Sequence, residues 1–145
     1  MLQQIMLGSV LMVVTTFVHA AATVAALRAL RMTHADRSRL GSWWVRVSLI
    51  AMLVVMMFFA ALIEVSIWAW VYLAIDAISE VETALYFSTV TFTTLGYGDV
   101  VLGEGWRLLG SFQAANGTIM FGWTTALIFA FVHRMASHDE TLAAE

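Results

Sequence analysis

Cysteine, proline and lysine are all absent from this 145-residue chain. Without cysteine there are no disulfides and no thiolate metal sites. Without proline, any helix bend has to come from glycine. Charge is scarce: 12% of residues are charged, against roughly 25% in a soluble domain. All seven basic residues are arginine, and the net charge of −3 is too small to point to nucleic acid as a partner. No internal repeat or low-complexity segment occurs. The first seven residues carry no positive charge, and the apolar run they open is longer than a signal core of about 7–15 residues, so no cleaved signal is expected.

What remains is overwhelmingly apolar. Hydrophobic residues make up 61% of the chain and the mean hydropathy is +0.86, which predicts an integral membrane protein. A spanning helix needs roughly 20 apolar residues. Stretches at about 5–27, 47–75 and 106–132 meet that length. The segment 79–105 between the last two is too short and too polar to cross alone. The expected fold is all-α, with three transmembrane helices and a re-entrant fourth. Residues 1–28 form an additional first helix, 29–46 an arginine-rich loop, 47–134 the main module and 135–145 a short tail. That tail leaves no room for a cytosolic nucleotide- or calcium-binding domain.

Charge sets the expected orientation. Arg28, Arg31, Arg37, Arg39 and Arg46 cluster around the first loop, and Arg134 ends the last span. The segment 76–105 holds Asp76, Glu80, Glu82, Asp99 and Glu104 without a basic residue. Positive residues stay in the cytoplasm, so the N-terminus lies outside and the C-terminus inside, in a prokaryotic inner membrane. Trp43 and Trp44 suit the inner interface, and Trp68, Trp70 and Trp106 the outer one.

The polar interruption carries the most information. "SEVE" at 79–82 reads as a capping box in which Ser79 caps and Glu82 reaches back. The next ten residues continue as a helix of about three turns, and "TTLGYGD" then returns in extended form. Such backbone survives at membrane depth only inside protein or along a water-filled path. Gly96 and Gly98 alternate with larger residues and tolerate left-handed angles. Alternating hands would aim successive carbonyls one way, as a column of oxygens. One chain supplies too few to strip an ion of water; several copies around an axis would surround it.

"TFTTLGYGD" at 91–99 closely resembles the potassium-channel signature threonine-x-threonine-threonine-valine-glycine-tyrosine-glycine-aspartate. The order helix, short helix, glycine run, helix over 47–134 is similar too. The resemblance implies a homotetramer around one pore. It implies K⁺ coordination by the carbonyls of Thr94, Leu95, Gly96 and Tyr97, with the Thr94 hydroxyl innermost and Gly98 closing the outer mouth. It implies support from Thr93, Tyr86, Val90 and Asp99, and a Tyr97 side chain packed behind the run. Leu95 stands where valine is commoner. Tyr86 and Phe87 stand where many such channels carry tryptophan, and Val90 where some carry a glutamate that bonds the aspartate. Of these positions only Tyr86 offers Asp99 a hydroxyl, so Asp99 is expected to lack the usual clamp. The proline soon after that aspartate is missing.

In the last helix the resemblance puts Gly117, with Gly122 in reserve, at a hinge. Thr118, Phe121, Thr125 and Phe129 share one face at helical spacing, and line a cavity and gate. Glu64 and Asn116 lie at matching depth, counted from the outer ends of their helices, so Glu64, protonated, is expected to bond Asn116 or another neighbour. His19 reads as a satisfied buried histidine. His34, His133 and His138 read as solvated or interfacial. A haem between His19 and His133 has no accompanying signal, and no cofactor is expected beyond K⁺ ions. The first helix lacks a ladder of arginines and so is no voltage sensor; it reads as a peripheral brace. The arginine loop suits anionic lipid headgroups. Acids and histidines form no catalytic constellation, so no enzyme activity is expected. A weakly selective or non-conducting channel homologue remains an alternative, as does a membrane scaffold or accessory subunit.

Overall fold

A computed structural model describes residues 1–33 and 43–143, with side chains over 1–30 and 43–136. Arg37, Arg39 and His34, together with the side chains of Arg31 and His138, lie outside that description. Four helices follow in order: α1 (Leu2–Thr33), α2 (Trp43–Ala74), α3 (Val81–Phe92) and α4 (Arg107–Ala143). Among the described residues there is no strand. Three helices are long and apolar enough to cross a membrane: Leu2–Leu30, Trp43–Ala74 and Arg107–Ala136. The first span extends past 5–27 at both ends, the second starts four residues before 47 and stops one before 75, and the third starts one residue after 106 and runs on past 132.

Burial differs from that of a soluble protein, with polar residues among the apolar core and large apolar residues outside it. Gln4, Thr15, His19, Glu64, Ser88, Gln113 and Asn116 are buried, while Val13, Phe17, Phe58, Phe59, Ile63 and Trp70 are exposed. Hydrocarbon solvates apolar side chains as well as protein does, so polar groups become the glue between helices. On α1 the buried stripe runs Gln4, Gly8, Leu11, Thr15, His19, Thr23, Ala26 and Leu30, with three- and four-residue spacing. It packs against both α2 and α4. The first helix is therefore a wedge between two spans, closer to the centre of the subunit than the expected brace. Gly8 permits the approach, since a Cβ there would stand 2.7 Å from the Phe112 ring.

α2 ends in a Schellman motif. Asp76 takes a left-handed φ of 53°, its N–H bonds the Leu73 carbonyl, and the Ala77 N–H bonds that of Tyr72. The chain reverses there and starts α3. The expected capping box does not form. Glu80 is the N-cap and no side chain caps it, which leaves Glu82 one position too early to reach back. The N-cap carboxylate instead accepts a bond from Thr83, Oγ1 to Oε2 2.9 Å. α3 descends 12 residues, about 18 Å at 1.5 Å per residue. Its last residue, Phe92, clusters with Val65 of α2 and Met120 of α4. Val65 is nine residues from the end of α2, so the turn after α3 lies about 14 Å down.

Candidate functional site

α3 also ends in a Schellman motif, and this one launches the glycine run. The Thr94 N–H bonds the Thr91 carbonyl, and the Leu95 N–H bonds that of Val90 at 3.0 Å. The Gly96 N–H reaches the same Val90 carbonyl at 3.3 Å. Val90 thus supports the run through its main chain, a contact that its aliphatic side chain gave no reason to expect. Thr94 occupies the left-handed position with φ 59°, an outlier for a β-branched residue and a form of strain concentrated at functional sites. Gly96 at 54° and Gly98 at 78° repeat the hand. Leu95 and Tyr97 between them do not. The alternation read from the two glycines therefore begins one step earlier, at Thr94. A Cβ on Gly96 or Gly98 would meet no atom within 4 Å, so backbone hand and not space demands glycine there.

The run climbs back beside α3. The Tyr86 hydroxyl donates to Asp99 Oδ2 at 2.6 Å, and Asp99 Oδ1 accepts from its neighbour Val100 N at 3.0 Å. The α3 side chain that bonds Asp99 is Tyr86, the hydroxyl singled out in the sequence. The bond shifts both groups. Hydrogen bonding from Tyr86 holds the Asp99 carboxyl below its ordinary range, and the bond to Asp99 raises the Tyr86 phenol. Asp99's lowered value gives a contribution present above the ordinary carboxylate pKa and lost as pH falls through the lowered one. Tyr86's raised value gives one complete below the ordinary phenol pKa and lost as pH rises through the raised one. The bond accordingly holds across neutrality. Tyr86→Phe should bring the Asp99 titration, followed by NMR, back up toward the ordinary carboxylate range. An unmoved titration would mean that the bond does not form in solution.

Residues 93–99 are all exposed on the single subunit, and Tyr97, expected to pack behind the run, remains 67% exposed. Thr118, Phe121, Thr125 and Phe129 are exposed on α4. Phe121 meets the Phe92 ring edge-on at 5.6 Å, and Phe129 stacks on His133 at 5.9 Å. The Thr118 and Thr125 hydroxyls bond back to the carbonyls of Ala114 and Phe121. Beside the run lies an open crevice of about 430 Å³ walled by Tyr86, Val90, Asp99, Gly110 and Ala114. Gly117 makes a close contact: a Cβ there would overlap the Phe92 carbonyl oxygen and come within 2.8 Å of its carbon. Gly122 has free space on that side. α4 runs through both glycines as one helix, so the expected hinge residue is, in this conformation, the point where α4 presses on the end of α3.

Glu64 and Asn116 are both fully buried, and each bonds α1 and not the other. Glu64 Oε1 pairs with His19 Nδ1 at 2.8 Å, and His19 Nε2 meets Thr124 Oγ1 at 3.2 Å. Asn116 Nδ2 donates to Thr15 Oγ1 at 2.9 Å. Matching depth set Glu64 and Asn116 level, but α1 takes both bonds, through His19 and Thr15. His19, expected to be a satisfied buried histidine, is the residue that joins three spans; an ionisable side chain in the middle of a span was the signal. Its ring also meets Trp123 edge-on at 5.5 Å. Among the described residues no cluster of His, Cys, Asp and Glu could hold a metal ion.

A family model described as an ion channel matches residues 60–134, just over half of the chain. Nothing matches among curated proteins or solved structures. The matched segment takes in the C-terminal half of α2, all of α3, the left-handed run and α4 as far as Arg134, and leaves α1 outside. With three apolar spans around a backbone turn at membrane depth, the chain is an integral membrane protein that belongs to the ion channel family.

Proposed function

We propose that the chain is one subunit of a homotetrameric, potassium-selective channel that conducts K⁺ passively through the 94–98 carbonyls. The observation that carries this reading is the exposed, alternately handed backbone of 94–98 about 14 Å below the helix ends. Peptide groups exposed to hydrocarbon cost several kcal/mol each. A run left uncovered by its own subunit is therefore stable only against other protein or against water and ions. A ring of copies supplies both, with carbonyls in place of the hydration shell. The C-terminus of α3 adds a partial negative charge below the run, which favours a cation there.

Thr118, Phe121, Thr125 and Phe129 face the same axis, with Phe129 as a hydrophobic constriction that closes by dewetting. Arg28, Arg46 and Arg134 lie at the opposite end of the spans from Asp76, Glu80, Glu82, Asp99 and Glu104, with Arg107 the one described arginine at the acidic end. That asymmetry favours an inner membrane setting with the run facing outside and the C-terminus in the cytoplasm. The arginine-rich loop then meets the anionic inner leaflet.

Purified protein in lipid vesicles provides the test. Tetramers that pass K⁺ and exclude Na⁺ are expected. Equal passage of both ions would support a weakly selective channel instead. A monomer or dimer passing neither would support a scaffold.

A further inference from the structure

Behind α3, on the side away from the glycine run, lies a second polar network. Gln113 of α4 is fully buried. Its Nε2 donates to Ser88 Oγ at 2.6 Å and to the Ser88 carbonyl at 3.2 Å. Its Oε1 accepts the Tyr72 hydroxyl at 2.7 Å. Ser88 Oγ in turn donates to the Val65 carbonyl of α2 at 2.7 Å. Both Gln113 amide protons are used, and no atom of Tyr72, Ser88 or Gln113 is among the buried polar atoms left unpartnered. A completed network of this kind is rigid.

Its position on α3 gives it a role. Tyr86, which holds Asp99, and Val90, whose carbonyl holds the Leu95 and Gly96 N–H groups, are four residues apart on one face. Ser88 lies midway between them in sequence and about 200° round the helix from each. The short helix is thus gripped in front by the run and behind by Gln113. Around these contacts the packing is apolar: Phe87 sits in a cluster with Tyr72, Leu102 and Leu109. Apolar packing tolerates small rotations and slides of a helix, whereas a hydrogen bond loses strength steeply with angle. A rotation of α3 would carry Tyr86 and Val90 with it and change the spacing of the carbonyls that follow.

We propose that Gln113 is a positioning residue for ion selection. Through Ser88 it fixes the rotation and height of α3, and so the width of the 94–98 run. This rests on the reading of that run as a cation filter.

Gln113→Leu alone would strand the buried Tyr72 hydroxyl, so the decisive variant is Gln113→Leu/Tyr72→Phe, which removes both partners. It is reconstituted in vesicles and its K⁺/Na⁺ flux ratio is compared with that of the unaltered chain at equal tetramer content. A fall in the ratio of about tenfold or more is expected, about 1.4 kcal/mol of discrimination, with K⁺ flux retained. Should the double variant not assemble, Ser88→Ala removes the 2.6 Å bond and leaves the 3.2 Å one to the Ser88 carbonyl, and a fall in the same direction is expected. Thr15→Val removes a buried bond that does not touch α3, and is expected to leave the ratio unchanged. A tetrameric variant with an unaltered ratio would overturn the assignment while leaving the filter reading intact, as would an equal fall in Thr15→Val. An unaltered chain that does not discriminate between the two ions would overturn the filter reading itself and this inference with it.

Discussion

Gly117→Ala is expected to abolish K⁺ flux, whereas Gly122→Ala leaves it within about twofold of the unaltered chain. In an ordinary helix either change stabilises by about 1 kcal/mol, because alanine is the better helix former. Gly122 has open space where its new methyl would go, and should follow that rule. At Gly117 the methyl would overlap the carbonyl oxygen of Phe92, the last residue of α3. A flexible side chain could rotate out of the way, but a backbone oxygen can move only if α3 moves with it. Overpacking typically costs about 1–3 kcal/mol, and here the strain falls on the residue two before Thr94, where the left-handed run begins. Displacement of that turn breaks the Val90 carbonyl contacts to Leu95 and Gly96. Vesicle flux, paired with a count of subunits per particle, checks the prediction. A conducting Gly117→Ala tetramer would show that the two helices separate more easily than the contact implies.

The pair at the centre of the three spans should give the second large effect, and its sign depends on which atoms are removed. His19→Leu leaves Glu64 buried with neither oxygen partnered, since Oε2 already lacks a partner. An unsatisfied buried polar group costs about 1–3 kcal/mol. Thr124 loses its contact to Nε2 as well. Glu64→Gln keeps an oxygen able to accept from Nδ1, so its cost should be below about 1 kcal/mol, with assembly preserved. His19→Leu/Glu64→Leu removes both partners and should recover most of the loss, as replacement of buried pairs by apolar residues often does. Thermal unfolding in detergent of the unaltered chain, His19→Leu, Glu64→Leu and the double variant closes the double-mutant cycle, with Glu64→Gln measured beside them. Additive losses would mean that the 2.8 Å contact contributes nothing to stability.

Much of this protein follows from short-range chemistry alone. Runs of apolar residues longer than a bilayer is thick gave three spans, and their number survives in the structure. A stretch without glycine or proline, followed by alternating glycines, gave a short helix and a run of alternating hand, and φ is positive at both glycines. Tyr86 was singled out as the sole hydroxyl within reach of Asp99, and it makes that bond. Each of these depends on neighbours within about a dozen residues, where composition and spacing fix geometry directly.

The tertiary structure decided which distant side chains meet. His19 and Glu64 are 45 residues apart and Thr15 and Asn116 are 101 apart. Depth counting could set Glu64 level with Asn116 but could not say that α1 takes both bonds. Gly117 carried the sequence signal of a flexible joint, and only the crossing of α3 over α4 makes it a contact point. Likewise Gln113 and Ser88 are ordinary polar residues until two helices bring them to 2.6 Å. The reason is that hydropathy records whether a helix enters the membrane, while its rotation and neighbours come from the sum of all its contacts. In hydrocarbon that sum is dominated by a few polar groups, each free to choose among several partners until the helices are in place.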